Sequence, residues 1–441
     1  MNVDSEEFGT SASKRKRIDK IIVEYPNNLD LDTYIANYKG HTKIDRLIFI
    51  AERCPPLRID AYSLALKEIK ETTYDVQKYT QTLQRLNEAR GVETESAEIK
   101  SWAETTQRRA NQLTEKLEQE LRTYKNNSIR ESIRMGHNDL GDHFYKCGDL
   151  TNALKCYMRT RDYCTTPKHV IEMCLNVIKV SIELGNFSHI NNYGVKAEST
   201  PDVQEKALIQ AKLRASSALA FLDNSNYKQA ARALLEIPFS LGFQYNEVIA
   251  PNDIAIYGGL CALATFDRAE LKTKVIDSTE FKQYLELEPQ IRELILGFYN
   301  SKYTACLEIL ENWKNDLLLD LHLSSHVDKL YTLIRKKALI QYFTPFTSVD
   351  LRKMATAFNT TVSLLERELA ALIMDNQIQG RIDSHNKVLH ARKQDLRGDV
   401  FRQCFAMANE YERAARAMLL RINLIKADLV VKPQGRERDD F

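Results

Sequence analysis

The stretch "SVDLRKMATAFNTTVSLLERELAALIMDNQIQGRIDSHNKVLHAR", Ser348 to Arg392, carries the reading that decides the fold. Ser348 is placed to cap a first helix over "VDLRKMATAF", with Asp350 in the first turn, where a carboxylate favours the helix dipole. "NTT" turns the chain, and Ser363-Leu364-Leu365-Glu366 has the spacing of a capping box opening a second helix. Leu365, Leu369, Leu372 and Ile373 give that helix its buried face. "QIQGRID", "SHNK" and "VLHAR" then read as a hairpin, with Ile378 and Ile382 in one strand and Val388 and Leu389 in the other. Helix, turn, helix and hairpin are the parts of a winged helix, a module best known for reading DNA.

The residues point to a different partner. A recognition helix needs Arg, Lys, Asn or Gln facing outward to meet phosphates and base edges. The second helix carries Glu366, Glu368 and Asp375 against Arg367 alone. The wing has Arg381, Lys387, Arg392 and Lys393, a number of cations ordinary for an exposed hairpin. Over the whole chain, 62 Lys and Arg face 60 Asp and Glu for a formal charge of +2, without the basic excess of a dedicated DNA binder. The expected partner is another protein, with nucleic acid as the lesser alternative.

Upstream of the winged helix the chain repeats itself. "NDLGDHFYKCGDLTNALKCYMRTRDYC" has Leu140-Gly141, then Phe144-Tyr145, Gly148-Asp149, Ala153 and Tyr157, which resembles the tetratricopeptide pattern. Small Gly141 and Ala153 let two antiparallel helices approach, Phe144 and Tyr157 fill the space between them, and Gly148-Asp149 makes the turn. Further turns are expected at Gly185, near Ser225, near Ala264 and near Ser301, at intervals of 37, 40, 39 and 37 residues. That spacing implies a right-handed solenoid of stacked helical hairpins over residues 131–316. Residues 28–130 read as an N-terminal helical arm. Within it, Ala110, Leu113, Leu117, Leu121 and Tyr124 form the packing stripe of a charged connecting helix. With 15 Gly and 10 Pro in 441 residues, the fold class is mainly α.

Downstream, Val400, Cys404, Met407, Tyr411, Ala414, Met418, Ile422 and Ile425 step by three and four along one helix. At 1.5 Å per residue it runs roughly 45 Å, beyond what a winged helix covers. Coiled-coil-like spacing needs a partner, so residues 394–427 are expected to enter a bundle. Residues 1–27 and 428–441 are polar and expected to be tails. Lys14, Arg15, Lys16 and Arg17 form a candidate nuclear import signal. No apolar h-region or long apolar run is present, so neither secretion nor membrane insertion is expected.

No catalytic, cofactor-binding or metal-binding constellation emerges. The eight cysteines contain no C-x-x-C pair and read as scattered thiols. His322 and His326 are spaced i,i+4, but Leu323 stands where a zincin needs Glu, so they read as surface histidines at a helix junction. Gly136 to Gly141 has Walker-like spacing, yet Asp142 and His143 replace the Lys and Ser or Thr.

Hairpins running into a winged helix resemble the PCI-domain family, shared by the proteasome lid, the COP9 signalosome and the third eukaryotic initiation factor. "NLDLDTYIANYKGHTKIDRLIFIAERCPPLRIDAYSLAL", "GDHFYKCGDLTNALKCYMRTRDYCT" and "LIRKKALIQYFTPFTSVDLRKMATAF" are similar to the subunit-one branch of the signalosome, over roughly residues 28–430. The resemblance implies a non-catalytic scaffold, in nucleus and cytoplasm, supporting removal of the ubiquitin-like modifier Nedd-eight from cullin-RING ligases. The catalytic zinc site belongs to another subunit, whose H-x-H motif is absent here. The implied partners are the other PCI subunits, the metalloprotease-containing pair and the cullin-RING ligase as substrate, with the N-terminal arm available to the substrate. A proteasome lid subunit and a ribosome- or nucleic-acid-associated factor stay open as alternatives. In the family, winged helices associate side by side and the following helices gather in a bundle. The expected contact residues are therefore Gln377, Ile378, Gln379, Arg381, Ile382 and Lys387 on the wing edge. Val400, Cys404, Met407, Tyr411, Met418, Ile422 and Ile425 are expected to serve on the last helix.

Overall fold

A computed structural model of the chain describes residues 22–24, 29–91, 97–200, 206–392 and 396–429. Lys14–Arg17, Lys393 and nearly all of the two expected tails lie outside the described residues. The chain opens with α1 (Leu31–Ala36), α2 (Gly40–Arg53), α3 (Arg58–Thr72), α4 (Val76–Arg90) and the long α5 (Ala97–Asn126). Paired helices follow: α6 (Arg130–Lys146) with α7 (Leu150–Arg159), α8 (Pro167–Leu184) with α9 (Phe187–Glu198), and α10 (Lys206–Asp223) with α11 (Tyr227–Leu235). Next come α12 (Pro251–Thr265), short α13 (Arg268–Leu271), α14 (Thr279–Leu287), α15 (Pro289–Tyr299), α16 (Tyr303–Leu318) and α17 (Val327–Phe343). The winged helix comprises β1 (Ser348–Asp350), α18 (Leu351–Ala357), α19 (Val362–Met374), β2 (Gly380–Asp383) and β3 (Val388–Ala391), and α20 (Leu396–Lys426) follows it.

The hairpin turns share one device. At Gly148, Gly185, Ser225 and Ser301 the backbone is left-handed, with φ of 80°, 75°, 58° and 61°. In each, the next N–H reaches back five residues: Asp149 N donates to Phe144 O, Asn186 N to Ser181 O, Asn226 N to Phe221 O and Lys302 N to Gly297 O. That is the Schellman closure, which satisfies carbonyls the helix end leaves open. The turn expected near Ala264 is present but closes differently: Ala264 is buried in the last turn of α12, which ends at Thr265, and the chain leaves the helix at an extended Phe266 rather than a left-handed residue.

Close approach at the first hairpin is as expected. A Cβ on Gly141 would lie 2.7 Å from the Tyr157 ring, and Ala153 is fully buried. On α5, Ala110 and Leu121 are buried, but Leu113 faces solvent, so the packing stripe is narrower than its spacing suggests.

The N-terminal helices do not stand away as an arm. Arg46 on α2 is completely buried and reaches two carboxylates far along the chain, Asp253 at 2.9 Å and Asp320 at 2.6 Å. Tyr38 donates to Asp253 at 2.6 Å, Tyr257 donates to Asp320 at 2.6 Å, and the Arg46 guanidinium lies 4.1 Å from the Tyr38 ring centre. Burial pushes the Asp253 carboxyl up despite Arg46. Burial also acts to raise Asp320, but there the Arg46 and His322 charges and the hydrogen bonds from Tyr257 and Arg46 together outweigh it and hold the carboxyl below the usual range. α2 is therefore stitched to the middle of the solenoid, and one hydrophobic core runs from Val23 to Leu389.

At the far end, Tyr303 on α16 stacks on Phe358 of the winged helix with centroids 5.4 Å apart, and Thr304 donates to Ala357 O at 2.9 Å. The winged helix is seated on the solenoid by packed rings.

Two stability measurements check these contacts. Arg46→Ala leaves two buried carboxylates uncompensated and is expected to cost about 3–5 kcal/mol in denaturant unfolding, with part recovered when Asp253 and Asp320 are also made Asn. Gly141→Ala, which drives a methyl into the Tyr157 ring, is expected to cost about 1–3 kcal/mol.

Candidate partner-binding surface

The winged helix is built slightly differently from its sequence reading. Ser348 lies in β1, paired with His390 of β3, and does not cap a helix. The cap is Asp350, whose side chain accepts from Arg352 N at 2.9 Å. α19 starts at Val362 after Thr361, with no side-chain cap bond, so the Ser363–Glu366 capping box does not form. Glu366 is otherwise engaged: its carboxylate accepts from Lys387 Nζ at 2.8 Å. Glu368 pairs with Arg335 Nε at 3.0 Å, and Asp375 lies 3.9 Å from Lys336.

Each acid of α19 is thus tied to a cation of α17 or the wing. The helix presents Ser363, Leu364, Arg367, Ala371 and Met374 outward, with Met374 84% exposed. That face is largely apolar, with one hydroxyl and one cation among five residues. It offers few of the donors that phosphates and base edges require.

The three strands order β1-β3-β2, so β2 is an edge strand. Of the six expected wing residues, Arg381 and Ile382 lie in β2. Arg381 is exposed, while Ile382 is half-buried opposite Leu389. Gln377 and Gln379 are exposed but belong to the turn before the strand. Gln377 N closes the end of α19 on Leu372 O, and the Gln379 carbonyl accepts from Arg392 N. Ile378 is buried at 3% exposure and belongs to the core rather than the edge, because the turn after α19 points its side chain inward. Lys387 spends its charge on Glu366 within the domain. The free edge is therefore Gly380–Asp383, shorter than the expected 377–382 and shifted toward the hairpin turn.

α20 is solvent-exposed almost throughout. Val400, Cys404, Met407, Tyr411, Met418, Ile422 and Ile425 all face water, with Met407 70% and Tyr411 78% exposed. It does not fold back on the solenoid. Sequence reasoning missed a second row: Phe401 and Phe405, with rings 5.6 Å apart, and then Leu419, all exposed beside the first stripe. Leu420 and Leu424 extend the exposed apolar surface to the opposite side of the helix. The i,i+4 phenylalanines were visible as a pattern, but a single-stripe reading passes over residues one position off it. Apolar surface of this extent exceeds what a monomer ordinarily leaves bare.

The remaining candidates resolve as structure. His326 is buried, not on the surface; its Nδ1 lies 3.1 Å from the Tyr227 hydroxyl, and burial pushes its imidazole down to about 4. His322 is half-buried, and its backbone N–H donates to Asp320 at 2.9 Å. Among the described residues, no three His, Cys, Asp or Glu side chains converge as a metal site, and no helix is long and apolar enough to cross a membrane. All eight cysteines are unpaired; five are buried and only Cys404 is exposed.

Comparison with known proteins places this architecture. A family model described as the PCI domain matches residues 310–393, and one described as 26S proteasome subunit RPN7 matches residues 100–274. The chain is 55% identical over 404 residues to COP9 signalosome complex subunit 1 of Arabidopsis thaliana, covering 90% of each protein. The chain belongs to the COP9 signalosome subunit 1 family. Within that family it is also 43% identical to subunit 1b of Drosophila melanogaster, over 95% of this chain and 89% of that one. The 26S proteasome non-ATPase regulatory subunit 6 of Caenorhabditis elegans is 24% identical over 78% of this chain and 87% of that one. In this subunit 1 family member the PCI match spans α17 through β3 together with part of α16, and the exposed helix lies just beyond it.

The Glu366–Lys387 tie is open to a direct check. Lys387→Glu places two carboxylates together and is expected to lower the unfolding midpoint by a few degrees, while the charge-swapped pair Glu366→Lys with Lys387→Glu recovers most of the loss.

Proposed function

We propose that this chain is a non-catalytic scaffold subunit of the COP9 signalosome, holding other PCI subunits and the metalloprotease-containing pair. It thereby supports removal of Nedd-eight from cullin-RING ligases, in nucleus and cytoplasm. The observation that carries the reading is α20, a helix of 31 residues with apolar side chains exposed along its length. Such a helix is stable in water only marginally by itself, and burying its stripe against partner helices supplies what is missing. Edge strand β2, with unpaired backbone groups along Gly380–Asp383, is a second joint by strand addition. The chain adds no catalytic group in this reading; it contributes position.

The proteasome lid is the second reading, favoured by the RPN7 match over residues 100–274. The higher identity and coverage of the signalosome relatives make it the lesser one.

Co-expression with the other signalosome subunits tests the proposal. Deleting residues 396–441 is expected to remove the chain from the assembled complex by native mass spectrometry, and normal incorporation of the truncated chain refutes the bundle. A milder variant, Met407→Lys with Tyr411→Lys and Met418→Lys, changes only exposed positions. It is expected to leave the monomer's unfolding midpoint nearly unchanged while reducing incorporation at least about tenfold.

A further inference from the structure

A cleft of about 830 Å³ opens where the N-terminal helices meet the first hairpin. α4 forms one wall, α5 the other, and the end of α6 with Gly148 and Asp149 forms the floor. Both walls are pinned to the last turn of α6. Tyr74 N, just before α4, donates to Lys146 O at 2.9 Å, and Thr114 Oγ1 of α5 lies 2.9 Å from His143 Nε2. Beyond Gln107 the walls meet, with the Tyr79 and Trp102 ring centroids 4.5 Å apart. The cleft is therefore held open by the chain's own framework. Its walls carry amides one helical turn apart, Gln77 and Gln81 on α4 and Gln107 and Asn111 on α5, all four exposed. Gln107 Nε2 donates to Asn111 Oδ1 at 3.0 Å, which leaves the Gln107 oxygen as an acceptor and the Asn111 nitrogen as a donor. An amide pairs a donor with an acceptor, the same two functions that a peptide unit offers. A helical occupant already uses its own main-chain groups, so such walls match an extended chain.

Charge decides which side chain goes with that main chain. A Cβ on Gly148 would collide with the Asp75 carboxylate, so Asp75 lies against the floor, close to Asp149. Both carboxylates bear on Cys147: burial pushes its thiol up to about 11, and Asp75 and Asp149 add to the rise. Glu115 places a third acid on the α5 wall. Lys78, the cation of the lining, is tied to Asp45 of α2 at 2.5 Å. A phosphate would be repelled here, whereas a Lys or Arg side chain would meet two carboxylates. We propose that this cleft docks an extended, basic segment of a partner protein, its main chain held by the amides of α4 and α5 and a Lys or Arg side chain set against Asp75 and Asp149. The volume suits a stretch of a few residues, within the roughly 300–1,000 Å³ of ligand pockets. This contact is separate from edge strand β2 and from α20.

Titrating the full chain into a labelled (Ala-Lys)3 hexapeptide, read by fluorescence anisotropy, tests this. In an extended chain its lysines all project to one side. Saturable binding is expected, with hydrogen-exchange protection appearing over residues 74–81 and 107–115. The (Ala-Glu)3 counterpart and a main-chain N-methylated (Ala-Lys)3 are each expected to bind at least about tenfold more weakly. Gln81→Ala with Gln107→Ala is expected to weaken binding at least about fivefold. Asp75→Asn with Asp149→Asn keeps both helix caps and removes both charges. It is expected to weaken binding about tenfold with the unfolding midpoint nearly unchanged. Absence of saturable binding up to about 1 mM, equal affinity for either control peptide, or protection confined to other residues overturns the proposal. So does unchanged affinity in the glutamine double variant. The chain is tested alone, so the outcome is independent of assembly through α20.

Discussion

Arg46 is the constraint on which the arrangement of the chain depends. A guanidinium fully removed from water is tolerable only with its charge met, and here Asp253 and Asp320 meet it from positions more than 200 residues away. Tyr38 donates to Asp253 and Tyr257 to Asp320, Arg46 itself donates to the Tyr34 hydroxyl, and the Tyr34 and Tyr38 rings lie beside the guanidinium. Because both carboxylates come from the later solenoid, α2 can occupy only one seat. The cluster thereby converts a row of stacked hairpins into a folded-back body. It explains why the N-terminal helices share a core with the rest of the molecule.

From that anchor the solenoid delivers the winged helix to a defined place. Four hairpins close in the same left-handed turn, at Gly148, Gly185, Ser225 and Ser301, and the helix after the last of them offers Tyr303 to Phe358. The winged helix then spends its acids on its own framework, Glu366 on the wing and Glu368 on α17. Its electrostatics are turned inward. What remains outward is a largely apolar helix face, a short strand edge and the exposed α20, and each suits a protein partner better than a phosphate backbone.

The balance between local and long-range signals explains what was legible. The winged helix, the Gly141–Tyr157 approach and the turns at Gly148, Gly185, Ser225 and Ser301 are short-range patterns, and each stands where its residues place it. Ser348 and Ser363 failed as caps for different reasons. β3 pairs Ser348 in a strand, whereas α19 starts one residue before Ser363, which therefore lies inside the helix, and Glu366 pairs with Lys387. Ile378 and His326 failed differently. Neighbours in sequence suggested surface, and packing from distant elements buried them.

By itself the sequence determined the elements, the hairpin turns, the winged-helix order and the unbroken apolar spacing of the last helix, because backbone preference and side-chain period act within a few residues. Only the tertiary structure decided that the N-terminal helices fold back, that the acids of α19 are neutralised within the domain, and that α20 stays uncovered. Those outcomes depend on charges and surfaces meeting across tens to hundreds of residues. No local pattern encodes which carboxylate a buried arginine will find, or which apolar stripe will be left without a cover.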